Sequence, residues 1–228
     1  MNKPYRSGIT TNGMDRVAHR AFMRATGMDD DAIAKPFIGV MSTHGENTPC
    51  SMSLRPQADA AKMGVAAAGG TPIEFTTVSV ADSTSMNHKG MRMSLLSREL
   101  IADSIELVMR GHAYDGLIGF AGCDKTLPGV MMGMVRLNCP SVFVYGGAML
   151  PGEWKGQPVT VLTAYEGVGS VLAGTMTEED LAELELHCAP TLGSCPGQFT
   201  ANTLPTPSYA VSTVAGLPFH SPGSIAPP

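Results

Sequence analysis

Charge is scarce in these 228 residues: 15% are Asp, Glu, Lys or Arg, against 43% hydrophobic. That balance excludes a chain disordered by composition and leaves enough apolar side chains for one sizeable core. Clusters of Lys and Arg are lacking, and 15 basic against 20 acidic residues give a net charge of -5. A nucleic-acid backbone is therefore excluded as the expected partner. The sequence has no uninterrupted apolar run of about 18 residues, so no membrane span is expected. Behind Met1-Asn2-Lys3-Pro4-Tyr5-Arg6 there is no apolar core of a signal peptide, which makes a cytoplasmic address the expectation. The five cysteines are odd in number and widely scattered. They exclude a secreted disulfide framework and leave reduced thiols or metal ligands. Sixteen Met against seven Phe supply flexible core fillers and carry no functional message.

What is present is an alternation of helical patterns with short apolar runs. Met14, Val17, Ala18, Ala21 and Phe22 recur at helical spacing and stop at Gly27. A strand is predicted over 36–41, an alanine-rich helix over 58–68 closed by Gly69-Gly70, and a second strand over 73–80. Residues 91–110 form a helix with Leu95, Leu96, Ile101, Ile105 and Val108 as its apolar stripe. A strand at 117–121, a helix over 128–137 and a strand at 141–145 before Gly146-Gly147 follow. Helices are predicted over 161–173 and, opened by a capping box at Thr177-Glu178-Glu179-Asp180, to about His187. From Ala189 onward prolines recur without periodicity, as expected of irregular backbone. The fold class is thus α/β, a parallel sheet flanked by helices with an irregular Pro-rich carboxyl-terminal tail.

Three of the predicted strands are followed by metal-binding side chains. After the first stand Ser42-Thr43-His44-Gly45-Glu46-Asn47-Thr48-Pro49-Cys50, after the second Ala81-Asp82-Ser83, and after the third Gly122-Cys123-Asp124-Lys125-Thr126. In an open parallel sheet, ligands collect just beyond the carboxyl ends of the strands, which would bring these loops together. Cys123 is a soft ligand suited to iron or zinc, and the adjacent Asp124 a hard one suited to magnesium or calcium. Gly193-Ser194-Cys195-Pro196-Gly197 offers a further thiol.

Each candidate has a plainer reading. A cysteine is often simply buried, which is the reading for Cys139. Cys188 is a core residue at a helix end or a substitute ligand. Asp82 alone would equally serve as a helix cap. His44 and Glu46 are expected in a solvated loop, His88-Lys89 at the surface, and His112 near a helix carboxyl terminus whose dipole it offsets. His19, His187 and His220 carry no signal. Trp154 covers the site or fills a groove.

Several motifs in one consistent order carry a resemblance. They are Thr48-Pro49-Cys50, Ser79-Val80-Ala81-Asp82, Lys89-Gly90-Met91-Arg92, Ser97-Arg98-Glu99 with Ile101-Ala102-Asp103-Ser104, Gly122-Cys123-Asp124-Lys125-Thr126-Leu127-Pro128-Gly129, Met149-Leu150-Pro151-Gly152, and Gly193-Ser194-Cys195 before Thr200-Ala201-Asn202-Thr203. From about Arg6 to Thr203 the chain resembles the dihydroxy-acid dehydratase family, which includes dehydratases of sugar acids such as aldonic acids. The resemblance implies that Cys50, Cys123 and Cys195 hold an iron-sulfur cluster, of the two-iron, two-sulfur kind. It implies that Asp82, Asp124 and Lys125, the lysine as its carbamate, hold Mg2+. The implied activity is a hydro-lyase converting a 2,3-dihydroxy acid to a 2-keto acid, as in branched-chain amino-acid biosynthesis, with a small-molecule substrate and a homo-oligomeric assembly.

The same resemblance implies a second domain carrying a catalytic base and a further magnesium ligand, beyond where these residues reach. Residues 1–188 are expected to form the cluster- and metal-binding α/β domain, and 189–228 the third cysteine loop and irregular tail. Asp82 is followed by Ser83-Thr84 and Cys195 by Pro196 where the family commonly has glycine, which restricts backbone beside two ligands. The rival readings are a metal-binding domain silent on its own, an aldonic-acid dehydratase, an iron-sulfur electron carrier and a structural zinc site. Carriers gather their cysteines at short spacing, unlike these. Zinc would leave Asp82, Asp124 and Lys125 without a role.

Overall fold

A computed structural model of the chain describes residues 3–204. The predicted Pro-rich tail from 205 to 228, with His220, lies outside the described residues. A 3-10 turn at Met14–Arg16 leads into α1 (Val17–Ala25), which ends before Gly27 at a φ of +94°. The alternation then runs β1 (Phe37–Ser42), α2 (Leu54–Ala67), β2 (Thr71–Thr76), α3 (Met91–Gly111), β3 (Gly116–Ala121), α4 (Thr126–Leu137) and β4 (Ser141–Tyr145). An antiparallel hairpin of β5 (Gly152–Trp154) and β6 (Gln157–Val159) follows, then α5 (Val161–Leu172) and α6 (Glu178–His187).

The four long strands are all parallel, in the order β2-β1-β3-β4. Pleating sends Phe37 and Met41 of β1 and Leu117 and Ala121 of β3 to one face, where Ile101, Ile105, Leu127 and Val130 of α3 and α4 cover them. Val40 and Phe120 point to the other face, onto Leu54, Ala58 and Val65 of α2. Each fully buried Leu, Ile or Phe here contributes about 1.5–3 kcal/mol, so the two apolar layers decide the fold. Helices α3 and α4 approach closely because Gly129 and Gly133 carry no side chain. A Cβ on Gly129 would stand 2.8 Å from the Arg98 carbonyl oxygen, and one on Gly133 would stand 3.1 Å from Ile105.

The expected α/β class with a flanked parallel sheet is what the chain forms, with local differences. Helix α2 starts at Leu54 rather than 58, since Pro56 falls in its first turn, where no N–H is required. The strand expected over 73–80 is β2, ending at Thr76. Among the described residues its neighbour is β1, which stops at Ser42; a last backbone bond runs from the Thr77 N–H to Ser42 O at 3.3 Å, and beyond it side chains take over. Thr77 Oγ1 lies 2.6 Å from Ser104 Oγ, and Ser79 Oγ 3.0 Å from Ser51 Oγ.

On α3, Leu95 and Leu96 are exposed and the buried face is Ser94, Ser97, Ile101, Ala102, Ile105 and Met109. The first turns of that helix face a polar site, not the apolar core. The Thr177 cap has one arm, accepting from the Asp180 N–H; the reciprocal box forms at Thr160 and Thr163. The hairpin at 152–159 has no counterpart among the predicted elements. Its loop, Lys155-Gly156, takes positive φ at both residues, the geometry a two-residue hairpin needs, without the usual Asn-Gly signal.

From β1 the chain crosses to β2 on one side, and from β2 it returns past β1 to β3 and then β4. The direction of winding reverses between β1 and β3. Such a switch point opens a crevice outside the carboxyl ends of the strands.

Candidate functional site

Cys50 leaves β1 on a single helical turn, Pro49–Met52. Asp82 leaves β2 and opens another, Asp82–Ser85. Cys123, Asp124 and Lys125 lie between β3 and α4. Because β1 stands between β2 and β3, the three loops meet at one edge, with Cys50 and Cys123 at the switch point itself.

Contact between the first and third loops depends on Gly122, since the Cys50 carbonyl oxygen fills the space a side chain there would need. Cys50, Ala81 and Cys123 form a small buried cluster. The Cys195 loop joins them through backbone. The Gly193 N–H donates to Pro49 O at 3.1 Å, the Ser194 N–H to Gly147 O at 2.9 Å, and the Met149 N–H to Ser194 O at 2.8 Å. The Ser194 hydroxyl also donates to the Gly122 carbonyl. Cys195 remains half-buried, less enclosed than the other two.

The thiols divide in character. Cys123 is held below the ordinary thiol value, first by a hydrogen bond from Cys50 and then by the backbone N–H groups of Asp82 and Asp124, against the effect of burial. Cys50 is pushed far up by its bond to Cys123 and by burial, and Thr48 Oγ1, 3.0 Å from its sulfur, opposes this. Burial raises Cys195, and the charges of Cys123 and Asp124 raise it further. The site therefore favours one thiolate, on Cys123, and resists three without a compensating cation.

Beside the thiols lies a carboxylate group. Lys125 Nζ is 2.7 Å from Asp82 Oδ2 and 3.9 Å from Asp124 Oδ2. The other oxygen of Asp82 accepts from the buried Ser94 hydroxyl. Burial, then the Asp82 charge, raises the Asp124 carboxyl above the usual range, and Lys125, the Thr200 hydroxyl and the Ala201 N–H oppose this. A positive charge between the two carboxylates thus stabilises both. Among the described residues, no three His, Cys, Asp or Glu side chains are already grouped around one metal position. The donors fit metal groups by chemistry: soft thiols on one side of Cys123-Asp124, and hard carboxylates sharing one cation on the other.

Sequence reasoning singled out all six of these residues but missed their supports. Ser94 lies on the same face of α3 as the buried Ile101 and Ile105, and that phase was the signal that could have found it. Tyr145 at the end of β4 gave no signal. Its hydroxyl donates to Asn202 Oδ1, and the Asn202 amide donates to Cys195 O at 2.8 Å and to Gly197 O.

Other candidates fall elsewhere. Cys139 is in the main core. Cys188 ends α6 in a second cluster with Val159 and Leu184, against which Trp154 packs. Trp154 therefore fills a groove there. Glu46 is exposed, and His44 Nδ1 lies 2.9 Å from Ser42 Oγ. His88 is exposed, and His112 follows α3 and stacks on Tyr114 with ring centres 5.5 Å apart. An open groove of 440 Å³ lies between Glu46–Pro49, Met52 and 189–192.

The chain is a doubly wound α/β domain with thiols and carboxylates gathered at its switch point. The chain belongs to the dihydroxy-acid/6-phosphogluconate dehydratase family, whose amino-terminal domain profile matches residues 35–221. Dihydroxy-acid dehydratase 2 of Bordetella bronchiseptica is 62% identical over 200 residues, which are 88% of this chain and 35% of that protein. Dihydroxy-acid dehydratase 3 of Bradyrhizobium diazoefficiens is 60% identical over 209 residues, 92% of this chain and 36% of that protein. Dihydroxy-acid dehydratase of Pelagibacter ubique is 53% identical over 218 residues, 96% and 38%. The chain thus spans little more than a third of the length of these curated relatives.

Proposed function

We infer that the chain is the cofactor- and substrate-holding part of a dihydroxy-acid dehydratase, a hydro-lyase that converts a 2,3-dihydroxy acid to a 2-keto acid and water. The observation that carries this reading is the meeting of Cys50 and Cys123 at the switch point, directly beside the Asp82–Lys125–Asp124 cluster. Cys50, Cys123 and Cys195 are proposed to hold an iron-sulfur cluster, two-iron and two-sulfur, and Asp82, Asp124 and carbamylated Lys125 to hold Mg2+. Bound there, the cluster supplies a Lewis-acidic iron for a departing hydroxyl, and the magnesium ion supplies positive charge for the substrate carboxylate and the neighbouring oxygen.

The chain's own residues prepare these sites. Backbone N–H groups of Asp82 and Asp124 favour the anionic sulfur of Cys123. Ser94 donates to Asp82, and Thr200 with Ala201 favours the charged form of Asp124. As an ammonium Lys125 repels a cation, whereas its carbamate is an oxygen ligand. Overall, the substrate loses the proton at carbon 2 and the hydroxyl at carbon 3, and the resulting enol tautomerises to the 2-keto acid. The group that takes the proton is proposed to lie in the part of the relatives' length that these residues do not cover. Accordingly, the 228 residues alone are expected to bind both metals and turn over slowly or not at all.

The matching relatives are named dihydroxy-acid dehydratases, which supports a branched-chain biosynthetic substrate over an aldonic acid. A cytoplasmic address accords with five free cysteines, and a homo-oligomer with exposed Val17, Phe22, Leu96 and Leu107. Among the described residues no helix is long and apolar enough to cross a membrane. The test is anaerobic purification, assay of iron, sulfide and magnesium, and measurement of 2-keto acid release from dihydroxyisovalerate and from aldonic acids. Zinc in place of iron would overturn the cluster assignment, and full turnover by these residues alone would overturn the need for a further part.

A further inference from the structure

The Cys195 loop has no strand or long helix of its own. It follows Gly193, whose φ is +130°, and its thiol is the least enclosed of the three. Backbone bonds at Gly193 and Ser194 anchor the residues before Cys195, and from Cys195 onward one side chain holds the loop. Asn202 sits on the helical turn Thr200–Thr203, and its amide reaches back to donate to the carbonyls of both Cys195 and Gly197. The orientation of that amide is set in turn, because its oxygen accepts from the Tyr145 hydroxyl at the end of β4. The same turn places the Thr200 hydroxyl and the Ala201 N–H where they favour the charged form of Asp124. One short segment therefore holds the backbone of the third thiol with one residue and brings two others up to the hard carboxylate.

The geometry points to Asn202, oriented by Tyr145, as the positioning residue that fixes Cys195 against the Cys50–Cys123 pair and ties that loop to Asp124. The inference deepens the proposed function and rests on Cys195 being the third cluster ligand. The Asn202 side chain bonds to Tyr145 and to the Cys195 and Gly197 carbonyls, so its effect is exerted through the loop. Replacement by Asp preserves the acceptor for Tyr145 and removes both donors, while Tyr145→Phe keeps both donors and removes the hydroxyl that orients the amide and also interacts with Ser194.

The test compares N202D, N202A and Y145F with the unsubstituted chain in two states. In the metal-free chain, each thiol's alkylation by iodoacetamide is followed by mass spectrometry. Loss of two neutral hydrogen bonds is expected to speed Cys195 by about tenfold in the Asn202 variants, and by less in Y145F, with Cys50 and Cys123 unchanged. In the anaerobically reconstituted chain, the same variants are expected to show reduced iron and sulfide and a weakened visible absorption of the cluster, at a melting temperature close to that of the unsubstituted chain. Unchanged Cys195 alkylation in N202D and Y145F would overturn the positioning role, as would unchanged iron and cluster absorption in both. Should the Asn202 variants not fold, Y145F decides by the same two readings. Faster Cys195 alkylation in a chain that takes up no iron even when unsubstituted would uphold the clamp and overturn the ligand assignment instead.

Discussion

The carbonyl oxygen of Cys50 occupies the space that a side chain on Gly122 would fill, so the loops after β1 and β3 touch only because residue 122 is glycine. A methyl group there must push the backbone of Cys50 away, and backbone cannot swing aside as a flexible side chain does. Gly122→Ala is expected to lower stability by about 1–3 kcal/mol and to abolish cluster uptake, because Cys50 and Cys123 would no longer meet. Thermal melting and iron per chain after anaerobic reconstitution check the two effects. Iron content equal to that of the unsubstituted chain would refute it.

Ser94 carries a separable role. Its hydroxyl is buried and donates to Asp82, so Ser94→Ala leaves one carboxylate oxygen without a donor. A hydrogen bond to a charged group is worth about 1.5–3 kcal/mol. Magnesium affinity, measured by calorimetric titration, is expected to fall by about tenfold or more, while iron and sulfide stay constant. A matched loss of iron would mean that Ser94 supports the whole site and not the carboxylate.

These two residues mark how far the sequence was legible. Parallel α/β architecture followed from alternating apolar runs, and the six candidate ligands followed from motifs in a consistent order. Strand order did not follow, because it depends on which loops cross which face; only the order β2-β1-β3-β4 turns three separate loops into one edge. The exposed Leu95 and Leu96 and buried Ser94 and Ser97 show the second gap. A periodic stripe identifies a helix, but near a polar site its buried face is not its apolar face. Tyr145 and Asn202 were illegible as partners because 57 residues separate them and neither has a spacing that announces a contact.

Lys125 tests the hard-metal site directly. Arginine keeps the positive charge and can still pair with Asp82, but it cannot form the carbamate proposed for the lysine amine. Lys125→Arg is expected to fold normally, retain iron, lose magnesium and lose any 2-keto acid release. Magnesium and iron are counted in the dialysed protein by elemental analysis. Unaltered magnesium binding would exclude the carbamate as a ligand.

The thiols give a pH prediction whose sign follows from their pairing. Cys123 is lowered by the Cys50 hydrogen bond and two backbone N–H groups, and Cys50 is raised. In the metal-free chain, Cys123 should therefore remain a thiolate as the pH falls below the ordinary thiol value, and should gain its proton only at its own lowered value. The stabilisation this provides is complete above the ordinary value and is lost as pH falls through the lowered one. Alkylation of each cysteine across a pH series, read by mass spectrometry, should give Cys123 the lowest midpoint of the three. Removing its partner as Cys50→Ala should raise that midpoint, because the largest lowering contribution disappears while burial remains. A Cys123 midpoint at or above that of Cys195 would show that the Cys50–Cys123 hydrogen bond does not form, and with it would go the reason for placing the first thiolate on Cys123.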